Sequence, residues 1–115
     1  MVGIKTADMN FYVAMKDLGF LGCTDANSQC LSYVFCGNVK GTMPTKDQLV
    51  SLYNNKSQVN TLLSTNGGTQ LTNAFYWSST FDAYYGGYYI VNISDGSGAW
   101  DYFGARYVRP VLTSW

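Results

Sequence analysis

Met43-Pro44-Thr45-Lys46-Asp47-Gln48-Leu49 holds the strongest local signal in this 115-residue chain. Thr45 with Gln48 three residues later is a capping box, in which each residue satisfies a backbone amide of the other at a helix start. Asp47 falls in the first turn, where a negative charge suits the helix dipole. Leu49, Leu52 and Tyr53 recur at helical spacing and Lys56 closes the run, so a helix is predicted from Thr45 to Lys56. After Asn73 the texture changes. Phe75 to Thr80, Tyr88 to Ile93, Ala99 to Phe103 and Tyr107 to Leu112 read as strands, rich in aromatic and β-branched residues. Ser94 to Gly98 is a turn, and Pro110 marks an edge or a bulge in the last strand. Upstream, Thr6 as a cap, Gly19 as a stop and a loose stripe of Met9, Val13, Ala14, Met15 and Leu18 predict a helix from Ala7 to Leu18. Gly22 to Gly41 reads as irregular, with Leu31 to Phe35 a short strand or a helix turn inside it. Val59 to Thr72 is polar, with a turn at Asn66-Gly67-Gly68. Two helices followed by a small antiparallel sheet make an α+β chain.

The composition narrows the function. Seven basic and seven acidic residues give no net charge, and only 12% of the chain is charged. There is no surplus of Lys and Arg for a nucleic-acid partner. No apolar run is long enough for a membrane span. His and Glu are absent, so a general base would have to be Asp, Lys or Tyr. A non-catalytic role without a cofactor is expected. Asp82, Asp95 and Asp101 could meet, but calcium takes about six to eight oxygen ligands, so no metal site is expected.

Cys23, Cys30 and Cys36 are odd in number, so at least one thiol is free or pairs with another chain. One disulfide within the cluster and three free thiols are both compatible with the spacing. Three Cys without His do not make the usual zinc set. No apolar signal segment follows Met1. The chain is expected to be one domain, the C-terminal part of a longer surface protein.

Residues 75 to 107 hold twelve of the nineteen aromatic residues. A domain this small cannot bury them all, and strand alternation sends about half outward. Tyr84-Tyr85-Gly86-Gly87-Tyr88 sets rings beside a flexible glycine pair. Tyr with Gly, Ser and Asp is the chemistry of an adaptable binding surface: rigid contact area, little entropy lost and a hydrogen bond at the ring tip.

Thr42 to Leu49, Tyr76-Trp77-Ser78-Ser79-Thr80 and Tyr107-Val108-Arg109-Pro110-Val111 together resemble the bacterial and phage domains of the C-type lectin-like fold. Those domains share an "LPT-x-x-E-L" helix start, a "YWSST" strand and a final "YVRPV" strand. The resemblance spans Gly41 to Leu112. It implies paired helices, a twisted sheet and a ligand face built from loops in the C-terminal half. Some relatives are variable proteins of diversity-generating retroelements, in which the stretch before "RPV" is altered at template adenines. Here that stretch is Phe81 to Arg106, and Phe81, Asp82, Ala83, Tyr84, Tyr85, Gly86 and Gly87 are reachable from an Asn codon by such changes. The "EPN" and "WND" runs of calcium-dependent sugar binders are missing. All three Cys precede residue 37, so the cysteine chemistry of formylglycine-generating enzymes, which use a related fold, has no counterpart.

The expected function is therefore binding of a protein or carbohydrate ligand at a cell, extracellular or virion surface. Phe81, Asp82, Tyr84, Tyr85, Tyr88, Trp100, Asp101, Tyr102, Phe103 and Arg106 are the candidate contacts. The alternative is an assembly module whose rings bury against its own copies, and the two are compatible. Trp77 is expected in the core, Ser78, Ser79 and Thr80 on backbone groups, and Arg109 on an acid or carbonyls inside the fold.

Overall fold

A computed structural model describes residues 2–5, 10–35 and 38–113. The described elements are, in order, β1 (Val2–Lys5), β2 (Asn10–Val13), β3 (Gly19–Gly22), α1 (Cys23–Ser32), β4 (Val34–Phe35), β5 (Val39–Lys40), α2 (Lys46–Asn54), α3 (Lys56–Thr65), β6 (Phe75–Asp82), β7 (Gly87–Asn92), β8 (Gly98–Asp101), β9 (Ala105–Val108) and β10 (Val111–Leu112). The class is α+β, as expected, but strands precede, separate and follow the helices. A five-stranded sheet of order β3-β9-β6-β7-β8 carries the architecture, and β1-β2-β10 and β4-β5 form smaller sheets. All pairings are antiparallel except β6 with β9, so the large sheet is mixed.

The capping box forms. Thr45 Oγ1 accepts from the Gln48 amide at 3.2 Å, and Gln48 Oε1 accepts from the Thr45 amide at 2.9 Å. α2 buries Leu49 and Leu52. The single helix predicted to Lys56 breaks at Asn55, whose side-chain amide donates to the Ser51 carbonyl at 2.8 Å. The chain then restarts as α3, which runs into the segment read only as polar and buries Val59 and Leu63. The predicted turn follows, with Gly67 at a φ of 83° that favours glycine.

The predicted first helix is a strand where it can be described. Residues 6–9 lie outside the described residues, but Phe11, Tyr12 and Val13 form β2, with Phe11 and Val13 buried and Tyr12 half-buried. That is the period of a pleat, and β1 and β10 pair with it on either side. Gly22 to Gly41 is not irregular either. Cys23, Ala26 and Cys30 are buried at helical spacing and form the inner face of α1. Leu31 lies in the last turn of that helix, which ends at Ser32, and Val34–Phe35 is the short strand. The last predicted strand divides at Arg109-Pro110: β9 lies in the large sheet and β10 in the small one. Proline cannot donate to a ladder, and the interruption carries the chain from one sheet to the other.

α1 packs on one face of the large sheet, with Met43, Trp77, Ile90 and Val108. Leu49, Leu52, Val59 and Leu63 of α2 and α3 pack on the other face, with Tyr76 and Val91. β6 is irregular where the "SST" residues stand. Trp77 faces Ile90 and Phe81 faces Tyr88, so four steps on β6 match two on β7. The surplus residues reach for α2. The Ser79 amide donates to the Pro44 carbonyl at 2.7 Å, and Thr80 Oγ1 accepts from the Lys46 amide at 3.0 Å.

Candidate ligand-binding face

Nine of the ten candidate contacts gather around the β6–β7 hairpin and the β8–β9 connection, and Arg106, on β9 beside the start of β6, joins them through Asp101. The hairpin turn is built by Asp82 and Gly86. Asp82 Oδ1 accepts from the Tyr84 amide at 2.8 Å, the Gly86 amide donates to the Asp82 carbonyl at 2.9 Å, and Gly86 has a φ of 70°. Gly87 is buried: a Cβ there would stand 2.7 Å from the Asp101 carbonyl oxygen. The turn therefore raises Tyr84 and Tyr85 into solvent, 88% and 61% exposed.

The rings do not form one surface. Directly paired residues of neighbouring strands share a sheet face, and successive residues alternate. Phe81, Tyr88 and Asp101 are cross-strand partners on the α1 face, and Tyr88 packs there against the core that holds Trp77. Tyr89 and Trp100 are partners on the opposite face. Tyr85 stacks on Trp100 with ring centres 5.2 Å apart and planes 5° from parallel, and Tyr84 meets Tyr85 edge-on. Tyr89, absent from the ten candidates, meets Trp100 edge-on at 5.0 Å. Its signal was its position beside Tyr88 in a strand, since alternation sends the two rings to opposite sides.

Three of the ten shape the site from within. Besides Asp82, Asp101 Oδ1 accepts from the Gly104 amide at 3.2 Å, and Asp101 Oδ2 pairs with the Arg106 guanidinium at 3.1 Å. These contacts hold the 102–104 connection, on which Tyr102 and Phe103 stand exposed and edge-on to each other. The Cys23 thiol donates to the Tyr102 carbonyl at 3.4 Å and ties this connection to α1. Asp95 sits in the turn after β7, at the far end of the sheet from Asp82 and Asp101, so the three acids do not meet. The Ser97 hydroxyl and amide donate to Asp95 and hold its carboxyl below its ordinary range. Among the described residues no three His, Cys, Asp or Glu side chains gather as a metal set.

At the start of β6, away from the hairpin, lies a polar network anchored on an acid that no motif singled out. Asp17 accepts from Arg109 Nε at 2.8 Å, from the Tyr76 hydroxyl at 2.7 Å and from the Thr72 hydroxyl at 2.7 Å. Arg109 is buried and also donates to the Ala14, Thr69 and Gln70 carbonyls. The Tyr76 hydroxyl accepts from the Thr72 amide, and burial, then the Asp17 charge, pushes its pKa up. Trp77 is buried with its indole N–H on the Leu21 carbonyl at 2.7 Å. The expected inward roles of Trp77 and Arg109 hold. Cys23 and Cys30 are buried free thiols, so no disulfide joins them, and Cys36 lies outside the described residues. No described helix is long and apolar enough to cross a membrane.

The chain matches no protein-family model, no curated protein and no solved structure.

Proposed function

We propose that the chain is a non-catalytic ligand-binding domain of the C-type lectin-like fold, displayed on a cell or virion surface as part of a longer protein. One observation carries this reading. Phe81, Tyr84, Tyr85, Tyr102 and Phe103 stand in solvent at one end of the sheet, from 47% to 93% exposed, on turns held by Asp82 and Asp101. Exposed rings on a fixed backbone give up water readily and lose little entropy when covered. The paired helices α2 and α3 and the mixed sheet behind them support the fold reading.

A protein surface suits these rings better than a sugar. Among the ten candidates the charged groups that would orient a saccharide are already engaged, Asp82 by the turn and Asp101 with Arg106 by each other. Phe81 and Phe103 offer no hydrogen bond at all. A protein and glycan array probed with the wild-type domain tests the reading. Two double variants, Y84A/Y85A and F81A/F103A, test one sheet face each. One of them should abolish binding while the melting temperature stays within a few degrees. Binding untouched by both would reject the ring surface. A second reading rests on Phe103, 93% exposed and wholly apolar: the rings bury against further copies of the chain. Sedimentation would then show an oligomer that F81A/F103A dissociates.

A further inference from the structure

One sheet face at this end carries a charge from outside the aromatic stretch. Lys46 opens α2, and its amide is pinned on Thr80 Oγ1. Its ammonium lies 4.7 Å from the centre of the Tyr89 ring. From Tyr89 the contacts run edge-on to Trp100, parallel to Tyr85 and edge-on to Tyr84. The result is a ladder of four rings with a cation at its inner end, and the cation–π contact fixes where the charge sits.

The charge is uncompensated. Among the described residues the only ion pairs are Arg106 with Asp101 and Arg109 with Asp17, so Lys46 has none. Asp101 belongs to the other sheet face, and Asp82, whose Oδ1 accepts from the Tyr84 amide, makes no ion pair with Lys46. Asp47, the next residue, stands about 100° further round the helix. A partner covering the ladder would desolvate a lone ammonium unless it supplied an acid.

We propose that Lys46 is a specificity-determining contact of the ladder, and that the face selects a protein segment presenting a carboxylate beside apolar side chains. This rests on the ligand-binding reading above. Charge complementarity at a rim sets partner choice more than affinity, so the effect is selective rather than large.

A random-peptide phage library panned on the wild-type domain, on Y84A/Y85A and on K46E tests the proposal, with melting curves as the folding control. Wild-type peptides should carry Asp or Glu next to apolar residues and be lost on Y84A/Y85A. They should bind K46Q roughly two- to fivefold more weakly at low salt, and K46R should restore them. Panning on K46E should enrich Lys and Arg instead. Peptides that need Tyr84 and Tyr85, show no acidic excess and bind K46Q equally would overturn the role of Lys46 and leave the binding reading standing. Peptides that bind Y84A/Y85A as well as wild type, or no enrichment at all, would count against both.

Discussion

Replacing Asp17 by Ala should cost more than any change at the exposed rings. Its carboxylate receives Arg109, Tyr76 and Thr72, all within 2.8 Å at their shortest contacts. The Arg109 side chain is only 1% exposed. Without Asp17, a buried guanidinium keeps the Ala14, Thr69 and Gln70 carbonyls but loses its counter-charge. Breaking one side of a buried pair costs about 3–5 kcal/mol. Domains hold roughly 5–15 kcal/mol in all. At this chain length the loss lowers the melting temperature by roughly 10–25 °C. Urea unfolding followed by tryptophan fluorescence reads it directly, with an unchanged slope showing that the unfolded state is the same. Asp17→Asn keeps an acceptor and should lose less. Tyr76→Phe should couple to Asp17→Ala by about 0.5–3 kcal/mol in a double-mutant cycle. If Asp17→Ala stays within about 1 kcal/mol of wild type at the same slope, the carbonyls alone suffice for Arg109 and the network argument fails.

Gly87→Ala should destabilise by about 1–3 kcal/mol, because its Cβ meets the Asp101 backbone, whereas Tyr84→Ala should cost under about 0.5 kcal/mol; equal losses in thermal unfolding would contradict this. Burial pushes the Cys30 thiol up from about 9 to about 12. Peptide mapping after alkylation at about pH 8 should find Cys30 unlabelled in the native protein and labelled in urea. Native labelling at the unfolded rate would refute its burial. The Tyr76 hydroxyl has a raised pKa when folded, so its stabilisation is complete below the ordinary value of about 10 and is lost as pH rises beyond it. Stability measured on the alkaline side should therefore fall less steeply in Tyr76→Phe than in wild type, and identical slopes would remove Tyr76 from the account.

What was legible in the sequence was what local chemistry decides. Thr45 and Gln48 answer each other three residues apart, and the helix they start is there. The segment of α3 carries Ser, Gln, Asn and Thr, and its helix depends on burying Val59 and Leu63 against a sheet assembled from residues far away. Phe11, Tyr12 and Val13 belong to a strand because β1 pairs with all three and β10, near the other end of the chain, pairs with Tyr12 and Val13. The cysteines misled in another way. Read as redox markers, they hid that Cys23 and Cys30 sit with Ala26 on one helical face. Asp17 was invisible because an isolated acid has no pattern, and its partner Arg109 lies 92 residues away. The site was legible as a region and not as a surface. Composition and the resemblance point to ten candidates in one stretch, and the pleat puts Tyr88 and Trp100 on opposite sides of the sheet.

That division explains how one short stretch can serve both fold and surface. Ile90 and Val91 are buried on opposite faces of β7 and hold the two cores together across the sheet. Gly87 is fixed by the Asp101 backbone behind it. Between these fixed points the hairpin turn leaves Tyr84 and Tyr85 free of the core, and the connection after β8 does the same for Tyr102 and Phe103. Any process that altered the surface residue by residue would find Tyr84 and Tyr85 open to change and would meet the fold's resistance at Gly87. The Asp17–Arg109 network and the docking of α2 on Thr80 lie outside that stretch or at its border. The framework can therefore stay constant while the exposed rings change, because the contacts that set its stability do not pass through them.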